Sequence, residues 1–426
     1  MVDLLHIKER GAKIMSEVRN PIFTLDIGSS KICAVVCEPD VSGFRVIGVG
    51  LSSAAGLKDG NISSLEELAG SIARAVSSAE QMSGVKAENI YIGISGSHLM
   101  GLDNLGMITL PRSSKEFTHD DIKRVMEAAK TVDLPDIRVV IDILSQEYIL
   151  DGQSGVKNPI GMTGKRLEVV VYIVTCDKSF AMNIIRAVEK AGYSFSRLVP
   201  SPIAVASMLI KPNEKEMGVV VVDVGGYETS ALVYFENKIA NIYSSPLGSE
   251  HLTRDLSIGL RVSPEEAEEV KVTKGCVYLP LLEEGEIEVS GYSDRFMRKV
   301  STRKVYEILE ARLEEIYRMI LVNMNRDGYG GYLAGGIVLT GGGSKIKGAF
   351  ELAEEVFDLP AKMGKLEGID GLDEVSNNPV YHTSIAIADY IMRRRVRTGV
   401  VFSKESYKNV IKSISGWFKG IFNLRD

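Results

Sequence analysis

Residues 23–36 read Phe-Thr-Leu-Asp26-Ile-Gly28-Ser29-Ser30-Lys31-Ile-Cys-Ala-Val-Val, and residues 220–235 read Val-Val-Val-Asp223-Val-Gly225-Gly226-Tyr227-Glu228-Thr229-Ser230-Ala-Leu-Val-Tyr-Phe. Each is an apolar strand that ends in an acid, turns on glycine, and returns as a second strand. The two aspartates stand 197 residues apart, room for a domain in each copy. The repeat therefore predicts two related domains facing one cleft.

The chemistry explains the composition of these turns. Glycines let backbone N–H groups approach phosphate oxygens, and an acid at a strand end can hold Mg²⁺ through water. A single Asp-x-Gly is as readily a plain β-turn. A third element changes that balance: Gly335-Gly336-Ile-Val-Leu-Thr340-Gly341-Gly342-Gly343-Ser344 is a buried strand running into a glycine turn, followed by helical spacing of Ile346, Phe350, Ala353 and Val356. Together the three fit one nucleotide cleft.

Composition sets the frame around that cleft. The 426 residues, at about 150 per domain, suggest roughly three domains. They are 45% hydrophobic and 25% charged, as in an ordinary globular protein. No run approaches eighteen apolar residues, and Asp3, Lys8, Glu9 and Arg10 interrupt the first segment. Neither a spanning helix nor a secretory signal is expected, which predicts a cytoplasmic address. Cys33, Cys37, Cys176 and Cys276 include no CxxC and are read as reduced. The five histidines are scattered singly, which argues against a metalloenzyme. The acidic body lacks basic patches with interleaved aromatics, which argues against nucleic acid.

Charge is divided unevenly. From Arg393 onward there are nine basic residues and two acidic ones, a tail of +7, and the body before it carries 41 basic against 54 acidic residues, or −13. Within the tail Val410, Ile411, Ile414, Trp417, Phe418, Ile421 and Phe422 recur at steps of three and four, with Lys412 and Lys419 among the polar residues between them. The pattern predicts an amphipathic helix at 410–425, preceded by a basic linker at 393–409. An apolar stripe of this kind serves a helix docked on its own body as well as one lying in a membrane interface. The basic linker and lysines favour an anionic leaflet, where each such residue adds about 1 kcal/mol. The membrane-facing candidates are Ile411, Ile414, Trp417, Phe418, Lys419, Ile421 and Phe422.

Three further runs carry a resemblance. They are Asp151-Gly-Gln153-Ser-Gly155-Val-Lys157-Asn158-Pro159-Ile160-Gly161-Met162, then Ala267-Glu268-Glu-Val-Lys271 followed by Gly275, and Gly336-Ile-Val-Leu-Thr340-Gly341-Gly342. In this order they resemble the FtsA family of bacterial cell-division proteins, within the superfamily of actin, chaperone ATPases and sugar kinases. The similarity covers about residues 21–425, and the 151–162 run is its most specific part.

The resemblance implies an α/β, actin-like fold, with two duplicated ribonuclease-H-like domains around a nucleotide cleft, an inserted small α+β domain and the terminal amphipathic helix. The expected units are an N-terminal extension at 1–20, domain 1 at 21–104 and the insertion at 105–193. Domain 2 follows at 194–392, with a subdomain at about 250–330 and a C-terminal return to domain 1. The resemblance also implies ATP with Mg²⁺ as cofactors. Asp26, Gly28, Ser29, Ser30 and Lys31 would form the first phosphate loop, Asp223, Gly225 and Gly226 the second, and Gly341, Gly342 and Gly343 the adenosine loop. Asp26 and Asp223 would hold the metal through water, and Glu268 and Lys271 would border the ribose or base. Without the family those two would read as a surface ion pair.

The family's second loop usually reads Asp-x-Gly-Gly-Gly-Thr, whereas Tyr227 and Glu228 occupy its last two positions here and Ser230 stands where an acid is common. An inward carboxylate would repel phosphates, and an outward pair would leave only Gly225 and Gly226 to matter. The expectation is ATP binding with very slow turnover.

The implied partners are the C-terminal peptide of FtsZ, with Arg295, Arg303 and Arg312 pairing its carboxylates, further copies of the chain in a polymer, the anionic membrane surface and later divisome proteins. That places the protein peripherally on the cytoplasmic face of the membrane at the division site. Two other readings compete: an actin-like scaffold of pilus or secretion assembly, and a kinase or chaperone-type ATPase.

Overall fold

Ile22–Ile27 and Lys31–Asp40 pair antiparallel with Asp26 opposite Cys33, and Val219–Val224 and Thr229–Phe235 do the same with Asp223 opposite Ser230. Each hairpin has a parallel neighbour on its other side: Asn89–Ile94 puts Gly93 beside Asp26, and Ile337–Thr340 puts Thr340 beside Asp223. The two aspartates thus end equivalent central strands, at the carboxyl edge where open α/β sheets bind ligands. This computed structural model describes residues 20–40, 43–110, 116–291, 297–366, 369–371, 375 and 378–398. The expected extension up to residue 19, Arg295, and all of the chain beyond Thr398 with its membrane-facing candidates lie outside the described residues.

The first sheet runs Ser194–Pro200, Asn89–Ile94, Ile22–Ile27, Lys31–Asp40, Gly43–Ser53, Ile369–Gly371, and the second runs Lys238–Ser245, Thr229–Phe235, Val219–Val224, Ile337–Thr340, Ala361–Met363. Their central strands are continuous apolar runs because helices cover the sheets: Ile22, Leu25, Val219, Val220 and Val222 are fully buried. The helix Leu65–Ser83 begins where the Ser64 side chain accepts from the Glu67 amide, and it lays Leu68, Ile72 and Val76 on the first sheet. The helix Ser201–Leu209 is buried on nearly every side, packed on the helix Pro379–Thr398 and on strands of the second sheet. It ties the two halves together.

The inserted unit differs from its expected bounds. Its sheet is Leu99–Thr109, Arg166–Asp177, Arg138–Leu150, Gln153–Val156, with one helix, His119–Ala129, held by a Thr118–Asp121 capping box. The helix Lys178–Lys190, assigned to the insertion by its position in the chain, instead buries Ile184, Ala187 and Val188 in the first domain's core beside the helix Leu65–Ser83. Ser194–Pro200, expected to open domain 2, pairs parallel with Asn89–Ile94 in the first sheet. An amphipathic stripe records that a helix has a buried face, not which core receives it.

The linker expected from residue 393 does not begin there. The helix Pro379–Thr398 carries on through the basic cluster, because Arg393 pairs with Asp389 one turn back and Arg394 reaches Asp142 of the inserted sheet. The subdomain near 250–330 comprises the helices Ser249–Leu260, Pro264–Lys274 and Thr302–Arg326 and the hairpin Glu286–Ser290/Met297–Ser301, with Val305, Leu309, Leu313, Ile316 and Ile320 buried. Among the described residues no helix is long and apolar enough to cross a membrane.

Candidate functional site

The three glycine turns meet. Asp26, Gly28, Ser29, Ser30 and Lys31 from the first hairpin, Asp223, Gly225, Gly226 and Glu228 from the second, and Gly341, Gly342 and Gly343 all line one cavity of about 560 Å³, joined by Glu268 and Lys271. Every described residue proposed for nucleotide or metal is in this group, a volume in the range of small-molecule sites. Gly341 is a position only glycine fills: its φ is +85°, and a Cβ there would strike Asp223 Oδ1 and the Val224 carbonyl. The second turn is braced from below, since the Ser249 and Glu250 amides, opening a helix, donate to the Gly225 and Gly226 carbonyls at 2.9 and 2.8 Å. Across the cleft the Tyr227 amide donates to Ser29 Oγ at 3.2 Å, so the two phosphate-type turns touch.

The floor of the cavity is electrostatically tense. Burial raises the carboxyl of Asp26 above its ordinary range while Lys31 pulls it down. Asp223 is pushed up to about 6, by burial first and by the charge of Asp26 next, against Lys31. Burial lowers the Lys31 ammonium, and its Nζ donates to the Val380 carbonyl at 2.7 Å. Two buried carboxylates, each costly to ionise and one made more so by the other's charge, fit a hydrated divalent cation, whose charge would relieve both.

At the other end Lys271 is buried and pairs with Glu268 at 2.6 Å. Thr253, which no motif marks, holds both: its hydroxyl contacts Glu268 Oε2 at 2.5 Å and accepts from Lys271 Nζ at 2.7 Å. His98 stacks on Phe180 at 3.7 Å along the first-domain wall.

A profile described as "Cell division protein FtsA" matches residues 220–386, and one described as "SHS2 domain inserted in FTSA" matches residues 96–175, the span of the inserted sheet. The chain is 34% identical to the cell division protein FtsA of Pseudomonas aeruginosa over 94% of its own length and 98% of the relative's. It belongs to the FtsA family. Among solved structures it superposes on the PilM-PilN type IV pilus biogenesis complex with TM-score 0.62 at 15% identity, covering 87% of this chain and 99% of that one. It also superposes on MreB5 of Spiroplasma citri bound to AMPPNP, with TM-score 0.54 at 14% identity, covering 89% and 99%. These likenesses show the fold, which is actin-like.

Against the FtsA pattern, the two unusual residues of the second loop part company. Glu228 turns its carboxylate into the cavity, within reach of the Ser97 hydroxyl and amide at 3.3 and 3.5 Å. Tyr227 sets its ring edge-on to His251, 5.8 Å away. Of the arginines expected to meet the FtsZ peptide, the described two stand outside the cavity and already have carboxylate partners. Arg303 is within 3.3 Å of Glu307 and 3.9 Å of Glu284, and Arg312 bridges Asp255 and Glu315 at 2.5 Å each.

Proposed function

We propose that this FtsA-family protein is an ATP-binding division scaffold. It polymerises at the membrane, anchors FtsZ filaments to the inner face through its C-terminal amphipathic helix, and gathers later divisome proteins. The observation that carries the nucleotide part is the meeting of three glycine turns, from both domains, around Lys31 and two aspartates. Backbone amides of Gly28–Ser30 and of Gly226 would receive the phosphates, with Gly225 lining their path, Gly341–Gly343 and the Glu268–Lys271 pair would border the nucleoside, and Mg²⁺ held by Asp26 and Asp223 through water would neutralise phosphate charge. On this reading the nucleotide acts as a ligand that fixes the angle between the domains, with hydrolysis at most slow.

One variant separates the acid's cost to the free protein from its service to the ligand. Folding holds the Asp223 carboxyl above its unfolded value of about 3.9, so the stability it contributes is complete below that pH and lost as pH rises through about 6. At pH 7.5 Asp223→Asn is therefore expected to melt several degrees higher than the wild type without nucleotide. It is also expected to lose most of the gain in melting temperature that MgATP gives the wild type. Thermal unfolding with and without MgATP reads both; a variant that melts lower, yet keeps the full gain, refutes the assignment.

The scaffold reading is tested by sedimenting FtsZ with anionic liposomes, with and without this protein and MgATP. FtsZ should pellet only when the protein is present, and Arg303→Glu should lower the pelleted fraction severalfold, because Arg303 holds its own carboxylates only on the exposed surface, where a peptide acid can replace them. If the protein pellets and FtsZ stays in solution, the partner claim falls and a pilus-type scaffold takes its place.

A further inference from the structure

Glu228 crosses the cleft into a niche built for it. The residue belongs to the second domain, at the start of Thr229–Phe235, while the groups around its carboxylate belong to the first: Ser97, Gly96 and Gly60. Gly96 has φ +83°, and a Cβ on it would overlap Glu228 Oε2, so a side chain there would push the carboxylate aside. A Cβ on Gly60 would come within 3.1 Å of Oε1. The donors are neutral ones, the Ser97 hydroxyl and amide, whereas Glu268, another acid lining the cavity, has Lys271. Burial accordingly raises the Glu228 carboxyl, and Ser97 draws it back.

Topology says which end of a ligand this acid meets. In the second sheet, Thr229–Phe235 and Ile337–Thr340 flank Val219–Val224 on opposite sides. Gly341–Gly343, which follow the latter, and Glu228, which precedes the former, therefore stand on opposite sides of Asp223. A nucleotide resting its nucleoside on Gly341–Gly343 and running its phosphates past Gly225 and Gly226 ends at Glu228.

We infer that Glu228 is a specificity residue that opposes a terminal phosphate, so that this ATP-binding cleft holds the triphosphate more weakly than the diphosphate. The inference rests on the nucleotide reading above. An ionised carboxylate and a terminal phosphate compete for one place, and the phosphate enters only by displacing the acid from Ser97 or by bearing the repulsion of two anions in a partly desolvated cleft. The diphosphate stops short of that contest.

The test titrates ADP and a non-hydrolysable ATP analogue, at fixed Mg²⁺, into the wild type, Glu228→Gln and Glu228→Thr, with thermal unfolding confirming that each variant is folded. Glutamine keeps the shape and removes the charge; threonine removes both and supplies a hydroxyl. The wild type should favour ADP, and both variants should shift the ATP-to-ADP affinity ratio toward ATP by about tenfold or more with little change for ADP. If all three proteins bind ADP and the ratio does not move, or if Glu228→Gln weakens the ATP analogue more than ADP, the specificity role falls while the nucleotide reading stands. If none binds either nucleotide, that reading falls and takes this inference with it.

Discussion

Removal of residues 399–426 is expected to leave the folded body unchanged in melting temperature and to reduce its pelleting with anionic liposomes to background. The described body ends in a helix already fixed at Arg393 and Arg394, so the cut at Thr398 removes neither ion pair. What it removes is the segment whose apolar residues, Ile411, Ile414, Trp417, Phe418, Ile421 and Phe422, recur at helical spacing, together with Lys404, Lys408, Lys412, Lys419 and Arg425. A helix this short is marginal alone in water and gains its order from the surface it lies on. On the membrane reading, apolar burial would hold it in the interface, and each basic residue near an anionic leaflet would add about 1 kcal/mol. One such anchor binds weakly and reversibly; copies joined in a polymer share one membrane and gain avidity without any new contact. Two corollaries follow from that division of labour. Raising the salt should weaken binding of the intact chain, and Trp417→Glu should approach the effect of the deletion, since it places a charge in the middle of the apolar stripe. A truncated protein that pellets as well as the intact one would assign membrane contact to the body.

How far the sequence was legible depended on how local each signal is. A strand, an acid and a glycine turn are written in about fourteen consecutive residues, and the three turns could be read and placed around one cavity before any tertiary contact was known. The helix Thr302–Arg326 was equally plain from its apolar spacing. The boundaries failed where the deciding contact is remote. The stripe of Lys178–Lys190 is the same whichever core receives it, and only the packing on the helix Leu65–Ser83 assigns it to the first domain. The run Arg393–Arg397 reads as a solvated linker because Asp142, which holds Arg394, lies 252 residues away. Within the site, Thr253 and Ser97 carry no motif and enter through the fold alone. Glu228 was visible as a departure from the family's pattern, but adjacent residues of a turn can point opposite ways, and Tyr227 and Glu228 do.

The same remote contact supplies the largest stability effect expected from a single substitution. Asp142 lies on Arg138–Leu150 of the inserted sheet and is almost wholly buried. It accepts from Arg197 at 2.7 Å, from the Tyr390 hydroxyl at 2.6 Å and from Arg394, so one carboxylate joins the inserted domain to the strand Ser194–Pro200 and to the last described helix. Arg197 is itself 5% exposed. Replacing the acid by apolar groups alone would leave these cations without the anion that offsets their desolvation, and breaking one side of a buried pair costs about 3–5 kcal/mol. Asp142→Ala is therefore expected to lower the melting temperature by about 3–6 °C. Glu38→Ala, which breaks an exposed pair with Arg45, should stay within about 0.5 kcal/mol of the wild type. Asp142→Asn separates the charge from the hydrogen bonds: it keeps an acceptor for Arg197 and Tyr390 while removing the anion, and should fall between the other two. If Asp142→Ala melts with the wild type, water has taken the place of the carboxylate, and the inserted domain is held to the helix that leads into the tail by its apolar contacts and not by this charge.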